Sequence, residues 1–168
     1  MRRTSSRTVA ALCAVAAALA LGLALGSERF GGLVPCALCL WERWPYRLII
    51  ALGVIAVVLP HRARLMLLWL IAFALVAAAG LAFIHVGVEQ GFWPSPLPEC
   101  AAPRISAGSI ADMLASMPAK PAKPCDEPTF LLPFLPLSMA AMNLLFALAF
   151  LGVLVAYLTA RAGRRARA

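Results

Sequence analysis

What most restricts this chain is a set of four apolar runs, each near the roughly 20 residues that a helix needs to cross a bilayer. The first, Val9 to Gly26, and the fourth, about Leu137 to Leu158, contain no charged residue. The third, Leu65 to Val88, holds one titratable residue, His85. The second is clean only from Leu48 to Leu59. It reaches spanning length if it begins near Leu40 and tolerates Arg43, Pro45 and Arg47 at one end. The chain is 63% hydrophobic and 13% charged, against roughly 25% charged residues in a soluble domain. No internal repeat and no soluble domain is visible. The expected fold is therefore all-α: four transmembrane helices over about 9–26, 40–59, 65–88 and 137–158, forming one integral membrane domain over 1–168.

Orientation follows from the cations, because short cytoplasmic loops carry the Lys and Arg excess. Arg2, Arg3 and Arg7 precede the first run, Arg62 and Arg64 separate the second and third, and Arg161, Arg164, Arg165 and Arg167 follow the fourth. Both termini are thus expected in the cytoplasm. The acidic residues Glu28, Glu42, Glu89, Glu99, Asp112, Asp126 and Glu127 fall in the other two connections, about 27–39 and 89–136, which are expected outside. The net charge of +8 then records topology, and a nucleic-acid partner loses its main support. A cleaved signal peptide is disfavoured as a reading of the first run: it exceeds the usual 7 to 15 apolar residues and no Ala-x-Ala site closes it.

The second outer connection is rich in proline, including Pro94, Pro96, Pro98, Pro118, Pro121 and Pro124, and so excludes continuous helix or sheet. Between the prolines, Ile110, Met113, Leu114 and Met117 recur at i, i+3, i+4 and i+7. That spacing predicts one short amphipathic helix starting near Ser106 or Ser109 and lying on the membrane surface. A loop with one anchored helix would suit a carrier that meets two partners in turn.

Five cysteines are distributed unevenly. Cys13 falls inside the first run and reads as a small hydrophobe. Cys36, Cys39, Cys100 and Cys125 all fall outside, where an oxidising compartment permits disulfides. Cys36 and Cys39 have the two-residue spacing of redox dithiols, in which one thiolate attacks an incoming disulfide and its neighbour displaces the product. On a helix, Cys36, Cys39 and Arg43 stand at i, i+3 and i+7 on one face. The helix N-terminus and the guanidinium would then both stabilise a thiolate at Cys39. If the helix starts instead at Trp44, with Pro45 as its first helical residue, that alignment fails. Static disulfides and a zinc site built from the four outer cysteines are the competing readings. A static bridge needs no neighbouring charge, and the second pair is split by 24 proline-rich residues, unlike the close-spaced pairs of zinc sites.

The segment Pro35-Cys36-Ala37-Leu38-Cys39-Leu40-Trp41-Glu42-Arg43-Trp44-Pro45-Tyr46 closely resembles bacterial disulfide bond formation protein B, DsbB. Further matches are His85-Val86-Gly87-Val88-Glu89-Gln90-Gly91-Phe92-Trp93-Pro94, Pro98-Glu99-Cys100, Pro124-Cys125-Asp126 and the stretch from Ser138 to Asn143. The resemblance implies a quinone-coupled thiol oxidase of the bacterial inner membrane, with its active site on the periplasmic side. A reduced DsbA-like thioredoxin-fold partner would attack the loop disulfide at Cys100, Cys125 would exchange with Cys36, and Cys39 would face the quinone, ubiquinone or menaquinone, with Arg43 beside it. His85 matches a family histidine near the quinone, which implies a hydrogen bond to a quinone oxygen or a proton relay; ionisable groups at membrane depth are functional candidates. Glu89, one turn on, is read as its ion-pair partner. Glu42 and Arg47 are read as interfacial charges, and Trp41, Trp44, Tyr46, Phe92 and Trp93 as an aromatic belt, some of whose rings could instead line the quinone pocket. Two other classes stay open: a reductase of the vitamin K epoxide type, and a non-enzymatic membrane protein stapled by disulfides or zinc.

Overall fold

The computed structural model describes residues 5–100, 123–131 and 136–165. Among them the chain forms four long helices: α1 (Ser6–Gly31), α2 (Ala37–Val58), α3 (His61–Glu89) and α4 (Met139–Arg165), with one 3₁₀ turn at Pro98–Cys100. The all-α expectation holds. α1, α3 and α4 are long and apolar enough to cross a membrane, whereas the 22 residues of α2, with Glu42, Arg43 and Arg47 in their first half, do not meet that measure. The amphipathic helix expected at Ile110, Met113, Leu114 and Met117 lies outside the described residues.

Local chemistry sets the helix ends. Ser5 caps α1 by accepting the Thr8 N–H at 3.2 Å. α1 then continues past its apolar run to Gly31 and α2 begins at Ala37, so the connection expected over 27–39 contracts to 32–36. Pro60 separates α2 from α3, and Leu59 before it is extended (φ −74°, ψ 156°), as a residue preceding proline prefers. Pro45 lies inside α2 without ending it, so the late start at Trp44 is not realised.

The helices pack in chain order, α1 on α2, α2 on α3 and α3 on α4, while α1 meets α3 only lightly. Small residues make the seams. A Cβ at Gly53 would lie 2.9 Å from Ala14 Cβ and 3.0 Å from Ala10 O, so glycine is what lets α1 and α2 approach this closely. Ala10, Cys13 and Ala17 of α1 join Leu75 and Ala78 of α3 in the buried core, and Cys13 is the small core hydrophobe that its position suggests. Outside, Leu19, Leu23, Phe73 and Val153 are each more than half exposed. An apolar exterior of this kind suits lipid rather than water.

At one end of the bundle, buried Arg64 donates from Nε to Ala56 O (2.8 Å), from Nη2 to Leu59 O (2.6 Å) and from Nη1 to Ser6 Oγ (3.1 Å). It thereby ties the C-terminus of α2 to the start of α1 and occupies carbonyls that a helix end leaves open. At the other end, the chain turns back after α3. Trp93 donates to Ile84 O at 3.0 Å and lies on Gly87, where a Cβ would come within 1.9 Å of its ring. The return to α4 is pinned by the Met139 N–H on Thr129 O (2.8 Å) and by Ser138, which caps Ala141 N–H and donates to Glu89 at the end of α3.

Candidate functional site

Cys36 is the residue that caps α2. Its backbone is extended (φ −80°, ψ 171°) and its Sγ accepts the Cys39 N–H at 3.2 Å. A sulfur in the place normally taken by a serine or aspartate oxygen sees the positive end of the helix, which favours its thiolate. Its thiol is lowered below the ordinary value, first by the hydrogen bond from the Cys39 side chain and then by backbone N–H groups, against the opposing cost of burial. The two sulfurs are 2.7 Å apart, and both cysteines are free. The helix N-terminus thus serves Cys36, where the spacing alone suggested Cys39.

Cys100 and Cys125 are joined by a disulfide, with Cα atoms 5.0 Å apart. Both lie in one buried cluster with Cys36, Leu38 and Val88, against which Cys39, Trp93 and Leu97 pack. Cys36, Cys39, Cys100 and Cys125 are therefore brought together. A zinc site made from all four is incompatible with the bonded pair, although Cys36, Cys39 and His85 hold three ligand atoms within 4.8 Å of one another.

His85 is buried at the centre of a polar network. Its Nε2 is 3.4 Å from Cys36 Sγ, and its Nδ1 is 2.7 Å from Glu42 Oε1. Glu89 Oε1 stands 4.0 Å from Nε2, so the pairing expected with Glu89 exists but is the looser of the two. Glu42 is not an interfacial charge: it is only 8% exposed, and its Oε2 accepts the Asn143 Nδ2–H at 2.7 Å. Tyr46 also leaves the expected aromatic belt, since it is buried and its hydroxyl donates to Asn143 Oδ1. Trp41, Trp44 and Phe92 remain exposed, and exposed Arg47 stacks over Trp44 at 5.1 Å.

Glu42 and Tyr46 had a signal in the sequence. Cys39, Glu42 and Tyr46 stand at i, i+3 and i+7, a stripe that runs from the dithiol down α2. Asn143, supplied by α4, had only its place in the resemblance to carry it.

Arg43 is buried and its Nη2 binds Glu28 Oε2 of α1 at 2.9 Å. Its Nε has no hydrogen-bond partner among the described residues. Both facts matter for the neighbouring cavity of about 380 Å³, whose lining includes Cys39, Arg43, His85, Asn143 and apolar residues of α1 and α4. It lies between α1 and α4, which make at most a marginal contact with each other. Such a volume lies in the range of small-molecule sites. Its chemistry is apolar along the helices and polar at the dithiol.

A family model described as "Disulfide bond formation protein DsbB" matches residues 6–157. An uncharacterized protein of Rickettsia prowazekii (strain Madrid E) is 30% identical over 144 residues, covering 83% of this chain and 81% of the relative. No solved structure matches the chain.

Proposed function

Because this chain belongs to the DsbB family of membrane disulfide bond formation proteins, we propose that it is a thiol:quinone oxidoreductase that reoxidises a DsbA-like periplasmic partner. In this reading α2 is the fourth membrane span, with its charges at the outer end. Both termini are cytoplasmic, the dithiol faces the periplasm of the inner membrane, and one domain spans 1–168.

The reduced partner attacks Cys100 and forms a mixed disulfide, releasing Cys125 as thiolate. Cys125 attacks Cys36 of an oxidised Cys36–Cys39 pair and displaces the Cys39 thiolate. The partner's second thiol then displaces Cys100 and leaves oxidised. Cys100 attacks Cys125, which restores the loop disulfide and expels Cys36. Two electrons now rest on Cys36 and Cys39. A quinone, ubiquinone or menaquinone, supplies the sink: when bound it takes up two electrons and two protons. Cys39 and Arg43 line the cavity in which its ring would be held, with His85 at the polar end.

The observation that carries this reading is proximity. The Cys100–Cys125 pair shares one buried cluster with Cys36, Cys39 packs against it, and the cavity opens beside Cys39. The test is a trap and a titration. A reduced DsbA-like protein that lacks its second cysteine should bond to Cys100 with Cys125 as leaving group and accumulate as a mixed disulfide, since nothing remains to displace Cys100; absence of any adduct would count against the relay. The reduced protein should be oxidised by added quinone one to one; an inert dithiol would sink the quinone step.

A further inference from the structure

The buried chain from Tyr46 to Cys36 has a fixed direction of hydrogen-bond donation. As a carboxylate, Glu42 only accepts. It accepts the Asn143 Nδ2–H on Oε2 and must therefore accept an N–H from His85 Nδ1 on Oε1, both at 2.7 Å. Asn143, with its amide nitrogen committed to Glu42, turns Oδ1 to Tyr46, whose hydroxyl donates to it. With Glu42 as a carboxylate, His85 Nδ1 carries the proton, and Nε2, 3.4 Å from Cys36 Sγ, is the ring nitrogen left to gain and lose one.

We infer that Glu42 is a positioning residue that fixes the tautomer of His85, making Nε2 the proton acceptor for the Cys36 thiol, with Asn143 and Tyr46 holding Glu42 in that role. The inference rests on Cys36 and Cys39 being the redox dithiol. Closing that dithiol to a disulfide releases two electrons and two protons. The electrons leave to the quinone, which in net takes the two protons as well, and the proton of Cys36 departs by way of His85 Nε2. When Cys36 is expelled from the internal mixed disulfide, the same nitrogen passes to it a proton released by the partner's two thiols. The groups facing this pair are Cys39 and Glu42 of α2 and Glu89 of α3. Glu89 Oε1 is 4.0 Å from Nε2, and its Oε2 is already occupied by the Ser138 hydroxyl.

The sharpest variant is Glu42→Gln, because a primary amide accepts on one side and donates on the other. Its carbonyl should take the Asn143 N–H and its NH₂ should face His85 Nδ1. The reverse orientation would force Asn143 to turn over and strand the buried Tyr46 hydroxyl proton. His85 would then be protonated on Nε2 and present an N–H, not a lone pair, to Cys36. An analogous tautomer inversion in a Ser-His-Asp triad lowers turnover about ten-thousand-fold.

The test is ¹⁵N NMR of the His85 ring in the reduced, detergent-solubilised protein, joined to the rate of dithiol closure. The wild type should keep Nδ1 protonated across the titration, with Nε2 alone changing. Glu42→Gln should move the proton to Nε2 and slow closure by about a hundred-fold or more at unchanged KM for the acceptor. Adding Asn143→Asp should restore both readouts, because the new carboxylate takes the Gln NH₂ and returns its carbonyl to Nδ1. A wild type carrying its fixed proton on Nε2 overturns the inference whatever the variants do. So does Glu42→Gln with the native tautomer, or a double variant that fails to regain it. The tautomer is read without quinone or partner, so its failure is separable from failure of the thiol:quinone reading.

Discussion

Two buried polar clusters sit at opposite ends of the same bundle, and they differ in what is left unused. At Arg64, three donors meet three acceptors from α2 and α1, and the cluster closes on itself. At the dithiol, Glu42 and Asn143 are committed to each other, but His85 Nε2 faces a sulfur and Arg43 Nε has no partner among the described residues. Burying a polar group costs stability unless it is bonded. The Arg64 end spends its bonds on joining helices, whereas the other end keeps donors and acceptors in reserve next to a cavity. On the proposed function, the difference separates a structural staple from a reactive site.

The largest effect should follow removal of a sulfur. Cys36→Ser leaves a hydroxyl that can still cap α2, so thermal unfolding of the purified variant should move little. Oxidation of the reduced DsbA-like partner should fall by about a thousand-fold or more. Turnover surviving at a tenth of wild type would break the contrast, since the reactive end would then not depend on its sulfur.

Arg64→Ala should show the reverse pattern. Removing the guanidinium frees Ala56 O, Leu59 O and Ser6 Oγ at a buried site, which costs about 3 kcal/mol. Denaturation in detergent should register that loss, while the folded fraction keeps its thiol chemistry. A variant of normal stability and reduced turnover would reverse the roles given to the two ends.

Arg43 tests the reserve itself. Arg43→Ala should weaken apparent quinone affinity about ten-fold, or about 1.4 kcal/mol. It should leave the mixed-disulfide yield with the partner unchanged. An unaltered quinone affinity would remove Arg43 from the cavity and leave its bond to Glu28 as its whole function.

The two ends also differ in how far they could be read from the chain. The helices follow from apolar runs, and the placing of charges puts Cys36, Cys39, Cys100 and Cys125 on one expected side of the membrane, while their gathering into one cluster came only with the fold. Both depend on spacing along the sequence. Glu42 was misjudged as interfacial, and Tyr46 was left between belt and pocket, because periodicity tells which residues share a face of α2, not what that face meets. Its partners are His85 of α3 and Asn143 of α4, 43 and 101 residues from Glu42. Arg64 was read only as a topogenic charge for the same reason: Ser6 lies 58 residues before it. A charge near a span end reads as interfacial until a distant acceptor is known to reach it.

The smallest expected effect is a pH dependence confined to the reactive end. Hydrogen bonds from Cys39 hold the Cys36 thiol below its ordinary value of 9.0 in the folded protein. A group whose folded value is depressed adds stability that is fully present above the unfolded value and is lost as pH falls through the folded one. Between those two values the unfolded chain binds more protons, so stability of the reduced protein should rise with pH up to about pH 9. Cys36→Ser should lack that rise, whereas Arg64→Ala should keep it on a lower baseline. The thiolate ultraviolet absorbance, followed alongside unfolding in a Cys39→Ser background, separates the causes. If the Cys36 midpoint moves up towards its ordinary value there, the Cys39 thiol is its main support. If it stays low, the helix N-terminus and His85 suffice, and the role assigned to the neighbouring sulfur is wrong.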